Sequence, residues 1–276
     1  MHDTPPSGWP FMKMHGLGND FVVVDARARP VTLTEPLVRA LADRHRGVGF
    51  DQLALITGDE DLEVTYFNAD GSQSAACGNA TRCIAAREMD LRGTDALTID
   101  VTGRGRLLAV RASDGVTAVN MGHPQFDWQC IPLSRDVDTR ALPITGAPVA
   151  TGMGNPHCTF FVDDVASVDL AGRGAEIEHH PLFPEHTNVQ FAQVVGPDHI
   201  RMRVWERGTG ITLASGSSSC AVAVAAARTG RTGRTVRIDL DGGTLNIDWR
   251  DDGVWMSGPT THVFDGVLTQ SFLDTL

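Results

Sequence analysis

Apolar and polar residues alternate over 62–67 (Leu-Glu-Val-Thr-Tyr-Phe) and again over 200–205 (Ile-Arg-Met-Arg-Val-Trp), which predicts two half-buried strands. Each runs into a polar turn, 68–71 in the first case and 206–210 in the second. The periodicity then changes to that of a helix built from small residues, at 80–89 and at 218–228. Within the second, 221–227 reads Ala-Val-Ala-Val-Ala-Ala-Ala and has almost no polar face. A helix that is apolar all round must be buried, so each is expected to be a central helix wrapped by a sheet. A further amphipathic helix is predicted to open at Thr34 as N-cap, with Pro36 in its first turn, and to run to His45.

The two strand-turn-helix units belong to a longer repeat. Residues 76–86 return 138 positions later as 214–224, with Cys77-Gly78-Asn79 answered by Ser215-Gly216-Ser217. Gly18-Asn19 is answered by Gly154-Asn155, Gln52 by Asn188, 97–103 by 236–242, and Met121 with Pro124 by Met256 with Pro259. Matches in one order at nearly one offset indicate two copies of one domain of roughly 130 residues, as expected for a chain of 276.

Composition narrows the partners. A hydrophobic content of 42% suffices for two cores, and a net charge of −11 without a clustered basic face argues against nucleic acid or an anionic membrane. No apolar run reaches the ~18 residues of a membrane span. Residues 1–8 lack the basic and apolar regions of a signal peptide. Five cysteines at irregular spacing read as free thiols in a reducing, cytoplasmic compartment. No CxxC or HxxxH spacing suggests a metal.

The repeated helix start carries the chemistry. Where a turn enters a buried helix, unpaired N–H groups and the positive end of the helix dipole favour an anion and lower a cysteine's pKa from about 8.5. Glycine at 78 and 216 lets backbone approach a ligand closely. If the two domains face each other, a carboxylate would lie with Cys77 on one side and Ser215 on the other. Two opposed acid/base groups across one α-carbon are what stereochemical inversion requires, and donors at the helix ends would stabilise the charge that develops.

These residues, together with 14–21 (Met-His-Gly-Leu-Gly-Asn-Asp-Phe), 47–52 (Gly-Val-Gly-Phe-Asp-Gln), 67–72 (Phe-Asn-Ala-Asp-Gly-Ser), 153–158 (Met-Gly-Asn-Pro-His-Cys), Thr187-Asn188-Val189 and Glu206-Arg207-Gly208, resemble the diaminopimelate epimerase family over nearly the whole chain. The resemblance implies an α/β (α+β) fold of two pseudo-symmetric domains. Each would be a curved, mostly antiparallel sheet around a central helix, with the active site in the cleft between them. It places one domain at 1–123 plus 263–276, containing Cys77, and the other at 124–262, containing Ser215. It implies PLP-independent, metal-free interconversion of LL- and meso-diaminopimelate in lysine and peptidoglycan synthesis, by a cytoplasmic homodimer. It assigns catalysis to Cys77 and the residue at 215, with His157 beside the first and Glu206 beside the second. Substrate binding falls to Asn19, Gln52, Asn68, Gly78, Asn79, Asn155, Asn188, Glu206, Arg207, Gly216 and Ser217.

The chain departs from the family at Ser215, where the pattern has a second cysteine. A hydroxyl is far less acidic than a thiol and needs activation to act as a base. Ser215 is consistent with a natural variant, with a related activity such as one-sided exchange, or with a substitution made to trap substrate. A racemase of another amino acid and an impaired amino-acid-binding protein are the alternative functions. Cys83, Cys130, Cys158 and Cys220 are expected to be small buried hydrophobes. Histidines other than His157, His179-His180 included, are expected to be solvated.

Overall fold

The computed structural model describes residues 8–58, 61–74, 77–112 and 114–275. The N-terminal stretch read above for a signal peptide lies, but for Gly8, outside the described residues, as does Ala76 of the repeated segment. In chain order the first elements are β1 Gly8–Gly16, β2 Asn19–Asp25, α1 Glu35–Ala42, β3 Gln52–Thr57, β4 Leu62–Asn68, β5 Gln73–Ser74, α2 Gly78–Arg92, β6 Ala96–Val101 and β7 Gly105–Arg111. There follow β8 Thr117–Asn120, β9 Val149–Gly152, β10 Pro156–Phe161, α3 Leu170–Glu178, β11 Asn188–Gly196, β12 His199–Glu206, β13 Gly210–Thr212 and α4 Gly216–Arg228. The chain closes with β14 Thr235–Leu240, β15 Gly243–Arg250, β16 Gly253–Gly258, β17 Thr261–Thr269 and α5 Gln270–Leu273.

Two compact units result. Unit 1 comprises Met1–Gly16, Asp20–Ala109 and Thr260–Leu276; unit 2 comprises Leu17–Asn19 and Val110–Pro259. In unit 1, β2 runs parallel to β3, β3 antiparallel to β4, and β4 parallel to β6. Unit 2 repeats this order, with β10 parallel to β11, β11 antiparallel to β12, and β12 parallel to β14. The registers repeat too: Phe21 pairs Gln52 and Leu53 pairs Phe67, as His157 pairs Asn188 and Val189 pairs Trp205. Other pairings, among them β1 with β17 and the series β14, β15, β16 and β8, are antiparallel.

The central helix of unit 2 is as its sequence predicts. Residues 218–226 of α4 are all buried, and the helix packs against β9, β10, β11, β14, β15 and β16. With apolar surface on every side it has no solvent face to lose. In unit 1, α2 packs against β1 and β6 but also buries Arg82 and Glu88. A buried charge is tolerated only when paired. Glu88 accepts from Arg27 at 2.8 and 2.9 Å and from Arg92 at 3.2 Å, while Arg82 donates to Asn79 Oδ1 at 3.0 Å.

Both helices start earlier than their periodicity indicates, at Gly78 and Gly216 rather than 80 and 218. Glycine has no side chain to report a helical face, so the first turn is silent in the pattern. Helix α1 starts as expected, Thr34 Oγ1 accepting from Leu37 N–H, but stops at Ala42 rather than at His45. Asp43 Oδ1 takes the N–H groups of His45 and Arg46 at 2.8 and 3.0 Å, and that side-chain turn competes with another helical one. Each unit has its own apolar core. Leu37, Val38 and Leu41 of α1 pack on Val22, Val24 and Leu53 in unit 1, and Phe160, Phe191 and Ile177 lie in the core of unit 2. Among the described residues, no helix is long and apolar enough to cross a membrane.

The β2–β3 entry of unit 1 is tied by Asp20. Its carboxylate accepts from Lys13 Nζ, from Arg44 at 2.8 and 3.0 Å, and from the Asp51 N–H at 3.1 Å. Burial alone would raise its pKa, but the Arg44 and Lys13 hydrogen bonds and charges outweigh it and hold the group below 3.8. A carboxyl depressed in the folded state adds stability above its unfolded pKa and loses it as pH falls through the folded one. Asp20→Asn is therefore expected to cost about 1–2 kcal/mol at pH 7. The penalty should shrink as pH falls below about 4, as measured by urea unfolding of both proteins across that range; an undiminished penalty would refute the ionic account.

Candidate active site

Cys77 and Ser215 are the N-cap residues of α2 and α4, and neither side chain caps its helix. Serine is among the best N-caps, so its failure to cap here reflects a competing partner. That partner is Glu206: Ser215 Oγ donates to Glu206 Oε2 at 2.7 Å. No acidic residue occupies the first turn of either helix, and both N-cap residues are followed by a buried glycine. Each start thus combines a weakly acidic side chain with backbone N–H groups that no acidic residue of the helix's own first turn neutralises, an arrangement suited to an anion.

A hydroxyl four residues on supports each start from behind. Thr81 Oγ1 donates to the Cys77 carbonyl at 2.9 Å, and Ser219 Oγ to the Ser215 carbonyl at 2.8 Å. With its own proton so used, Thr81 accepts from the buried Tyr66 hydroxyl at 2.7 Å. Burial drives the Tyr66 pKa upward, which keeps it a donor.

Glu206 stands at the end of β12 with both oxygens engaged, Oε1 by the Thr212 hydroxyl at 2.6 Å and Oε2 by Ser215. The turn after it is held by contacts within unit 2. Asn188 Oδ1 accepts the Arg207 N–H at 3.0 Å, and Arg207 Nη1 donates to the Glu185 carbonyl at 3.1 Å. Glu178, at the end of α3, accepts the Gly208 N–H at 2.7 Å and Trp205 Nε1 at 2.6 Å. Helix α3 comes this close because residue 174 is glycine: a Cβ there would lie 2.6 Å from Trp205. Glu178, His179 and His186 also bring potential metal ligands within 4.8 Å of one another, but both Glu178 oxygens are already committed to the turn.

His157 is fully buried on β10. Its Nε2 lies 2.8 Å from Asn155 Oδ1 and its Nδ1 3.0 Å from Gln190 Nε2. Gln190, two residues beyond Asn188 on β11, also donates to Ser218 Oγ at 3.1 Å and accepts from Thr159 Oγ1 at 3.1 Å. In unit 1, Gln52 Nε2 donates to Asn68 Oδ1 at 3.1 Å and Asn68 Nδ2 to Ser72 Oγ at 3.0 Å.

Unit 2 therefore gathers Ser215, Gly216, Glu206, Arg207 and Asn188 around the β12–α4 junction, and joins Asn155 to His157; Asn19 is buried in the same unit. Unit 1 carries Cys77, Gly78 and Asn79 on one element and pairs Gln52 with Asn68. Ser217, in the first turn of α4, is half-buried. Sequence reasoning missed Thr212, Gln190, Thr81, Tyr66 and Glu178. Alternation along β11 puts Gln190 on the same face as Asn188, which was the available signal. The others meet the site only through strand pairing and helix packing. Three histidine expectations need correction, His15 being half-buried on β1. His180 is half-buried, its Nδ1 accepting the Leu182 N–H at 3.1 Å, and His199 pairs with Asp239 at 2.7 Å.

The family model for diaminopimelate epimerase matches residues 11–127 and 149–263. A diaminopimelate epimerase of Rhodospirillum centenum is 52% identical over 272 residues, covering 95% of this chain and 93% of that one. One of Acidiphilium cryptum is 49% identical over 271 residues, covering 96% and 98%. Among solved structures, a predicted epimerase of Pseudomonas aeruginosa superposes with a TM-score of 0.68 at 18% identity, covering 94% of this chain and 99% of that one. A hydroxyproline epimerase of Agrobacterium vitis, with trans-4-hydroxy-L-proline bound, gives 0.65 at 13%, covering 94% and 91%. At these identities the structures establish a shared fold.

The other thiols separate by environment. Cys83, Cys158 and Cys220 are buried as expected, whereas Cys130 is exposed, in turns at 127–133 that give Ile131 and Leu133 to the core instead. Burial pushes the Cys83 thiol up to about 11, and Cys158 is raised further by complete burial. Since the thiolate is the reacting form, native protein treated with iodoacetamide at pH 8 is expected to alkylate Cys130 and to spare Cys83 and Cys158. Peptide mass mapping reads this directly, and labelling of Cys158 before unfolding would contradict the burial.

Proposed function

The chain belongs to the diaminopimelate epimerase family, and from that premise we propose that it interconverts LL- and meso-diaminopimelate, as an isomerase acting through two proton-transfer groups, Cys77 and Ser215. The observation that carries the reading is the mirrored pair of uncapped helix starts, one bearing a thiol and the other a hydroxyl bonded to Glu206 at 2.7 Å. The substrate α-carboxylate is assigned to the N–H groups at Gly78-Asn79 and Gly216-Ser217. The distal amino-acid end is assigned to Asn19, Gln52, Asn68, Asn155, Asn188 and Arg207, Glu206 contributing to binding as well. The two repeats are taken as domains 1–123 with 263–276 and 124–262; the compact units follow this division except that 17–19 and 110–123 fall with the second and 260–262 with the first.

In the Cys77 half-reaction the thiolate removes the α-proton, with His157 assigned to exchange the proton of the resulting thiol. Charge that develops on the carboxylate falls on the helix N–H groups, where fixed donors stabilise it. In the Ser215 half-reaction a free alkoxide is too basic to form at neutral pH, and the Glu206 contact removes that need. When Ser215 Oγ takes the α-proton, its own proton passes to Glu206 Oε2. In reverse, protonated Glu206 supplies Oγ as Oγ protonates the carbanion. Serine then works as a relay whose acid and base is the carboxyl, at the expense of rate relative to a thiol.

A cytoplasmic homodimer completes the proposal. Free thiols suit a reducing compartment. Val263 and Phe264 on β17 are about half exposed, at 51% and 47%, and provide apolar surface for a second copy.

Three measurements test this reading. In deuterium oxide, wild type should exchange and invert the α-carbon of diaminopimelate; binding without exchange would defeat the enzymatic assignment. Ser215→Cys should raise the inversion rate on the order of 10²-fold, whereas Glu206→Gln should abolish inversion and leave exchange at the Cys77 face. Phe264→Glu should convert a dimer to a monomer in light scattering, and a monomeric wild type would remove the dimer from the proposal.

A further inference from the structure

The His157 imidazole has a nitrogen at each end of a hydrogen-bonded chain, and the chain is polarised. Gln190 Nε2 has two hydrogens and no lone pair to offer, and it faces two acceptor positions, His157 Nδ1 at 3.0 Å and Ser218 Oγ at 3.1 Å. The other end of the amide, Oε1, takes the Thr159 hydroxyl at 3.1 Å. A nitrogen that accepts cannot also carry the ring proton, so a neutral His157 holds it on Nε2, and Nε2 is the atom directed at Asn155 Oδ1, 2.8 Å away. Gln190, Thr159, Ser218 and His157 are all fully buried. In such surroundings a polar group without its partner is costly, which makes this arrangement a strong constraint.

We propose that Gln190 is a positioning residue that assigns the proton of His157 to Nε2 and, through Ser218, ties that assignment to the first turn of α4. The inference rests on the role given to His157 above. The partner at one ring nitrogen sets the protonation of the other, so the residue at 190 decides which nitrogen can exchange a proton on the side of Asn155. A carboxylate at 190 would demand N–H at Nδ1 and reverse the assignment. An apolar side chain would leave Nδ1 undirected.

Long-range proton–nitrogen NMR of the histidine rings tests this without reference to turnover, with the His157 signals identified by their loss in His157→Gln. Wild type should show a protonated-type Nε2 and a bare-type Nδ1. Gln190→Glu should show Nδ1 protonated, and Gln190→Leu should give averaged shifts. Thr159→Val, which removes the hydroxyl that orients the amide, provides a milder route to the same averaging if Gln190→Leu does not fold. In diaminopimelate turnover, Gln190→Glu is expected to lower kcat about tenfold or more and to change KM less than about threefold. A proton on Nδ1 in wild type, or one pattern common to all variants, would overturn the proposal. A shifted tautomer with unchanged kcat would uphold Gln190 as the positioning residue and withdraw His157 from catalysis.

Discussion

The competition for one serine proton organises unit 2. At a helix start the Ser215 hydroxyl would ordinarily turn back onto its own backbone, which would neutralise the first turn of α4 and remove the hydroxyl from chemistry. Glu206 prevents this by accepting at 2.7 Å. The carboxylate is in turn positioned by Thr212, and the residues that follow it by Asn188, Glu185 and Glu178. The strand pairings of β11, β12 and β13 and the close approach of α3 at Gly174 therefore all bear on one hydrogen bond.

The internal repeat sharpens what is functional, because the two units share backbone and differ in side chains at identifiable places. Phe21 and His157 hold the same register position against Gln52 and Asn188. Asn68 ends β4 as Glu206 ends β12, and Tyr66 holds the register position of Val204. Unit 2 thus carries a titratable group at both positions where unit 1 carries Phe21 and Asn68. Where the units agree, as in the hydroxyl back-bonded to the N-cap carbonyl, the shared need is to hold a helix start still. At those two positions the disagreement gives unit 2 the groups that the proposed proton transfer uses.

The repeat, the strand alternation, the buried α4 and the residues at both helix starts were readable in the chain, since period and residue type are local properties. The first turns of α2 and α4 were not, because glycine has no side chain to mark a face. Buried Arg82 and Glu88 broke the expectation of an apolar α2; for Glu88 the reason is nonlocal, its partner Arg27 lying on another segment, whereas Arg82 donates to Asn79 within the helix. Cys130 departed from the buried pattern because the turns that carry it send Ile131 and Leu133 into the core and leave the thiol at the surface.

By itself, the order of residues determined that two copies of one α/β unit would each present a weak acid at the start of a buried helix, and that one copy would carry serine in place of cysteine. Periodicity and capping chemistry act over a few residues, so they survive in a linear reading. Only the tertiary structure decided what that serine is bonded to and which nitrogen of His157 faces Gln190. Those contacts join residues 9 and 33 positions apart, and no local rule relates side chains that meet only when strands pair.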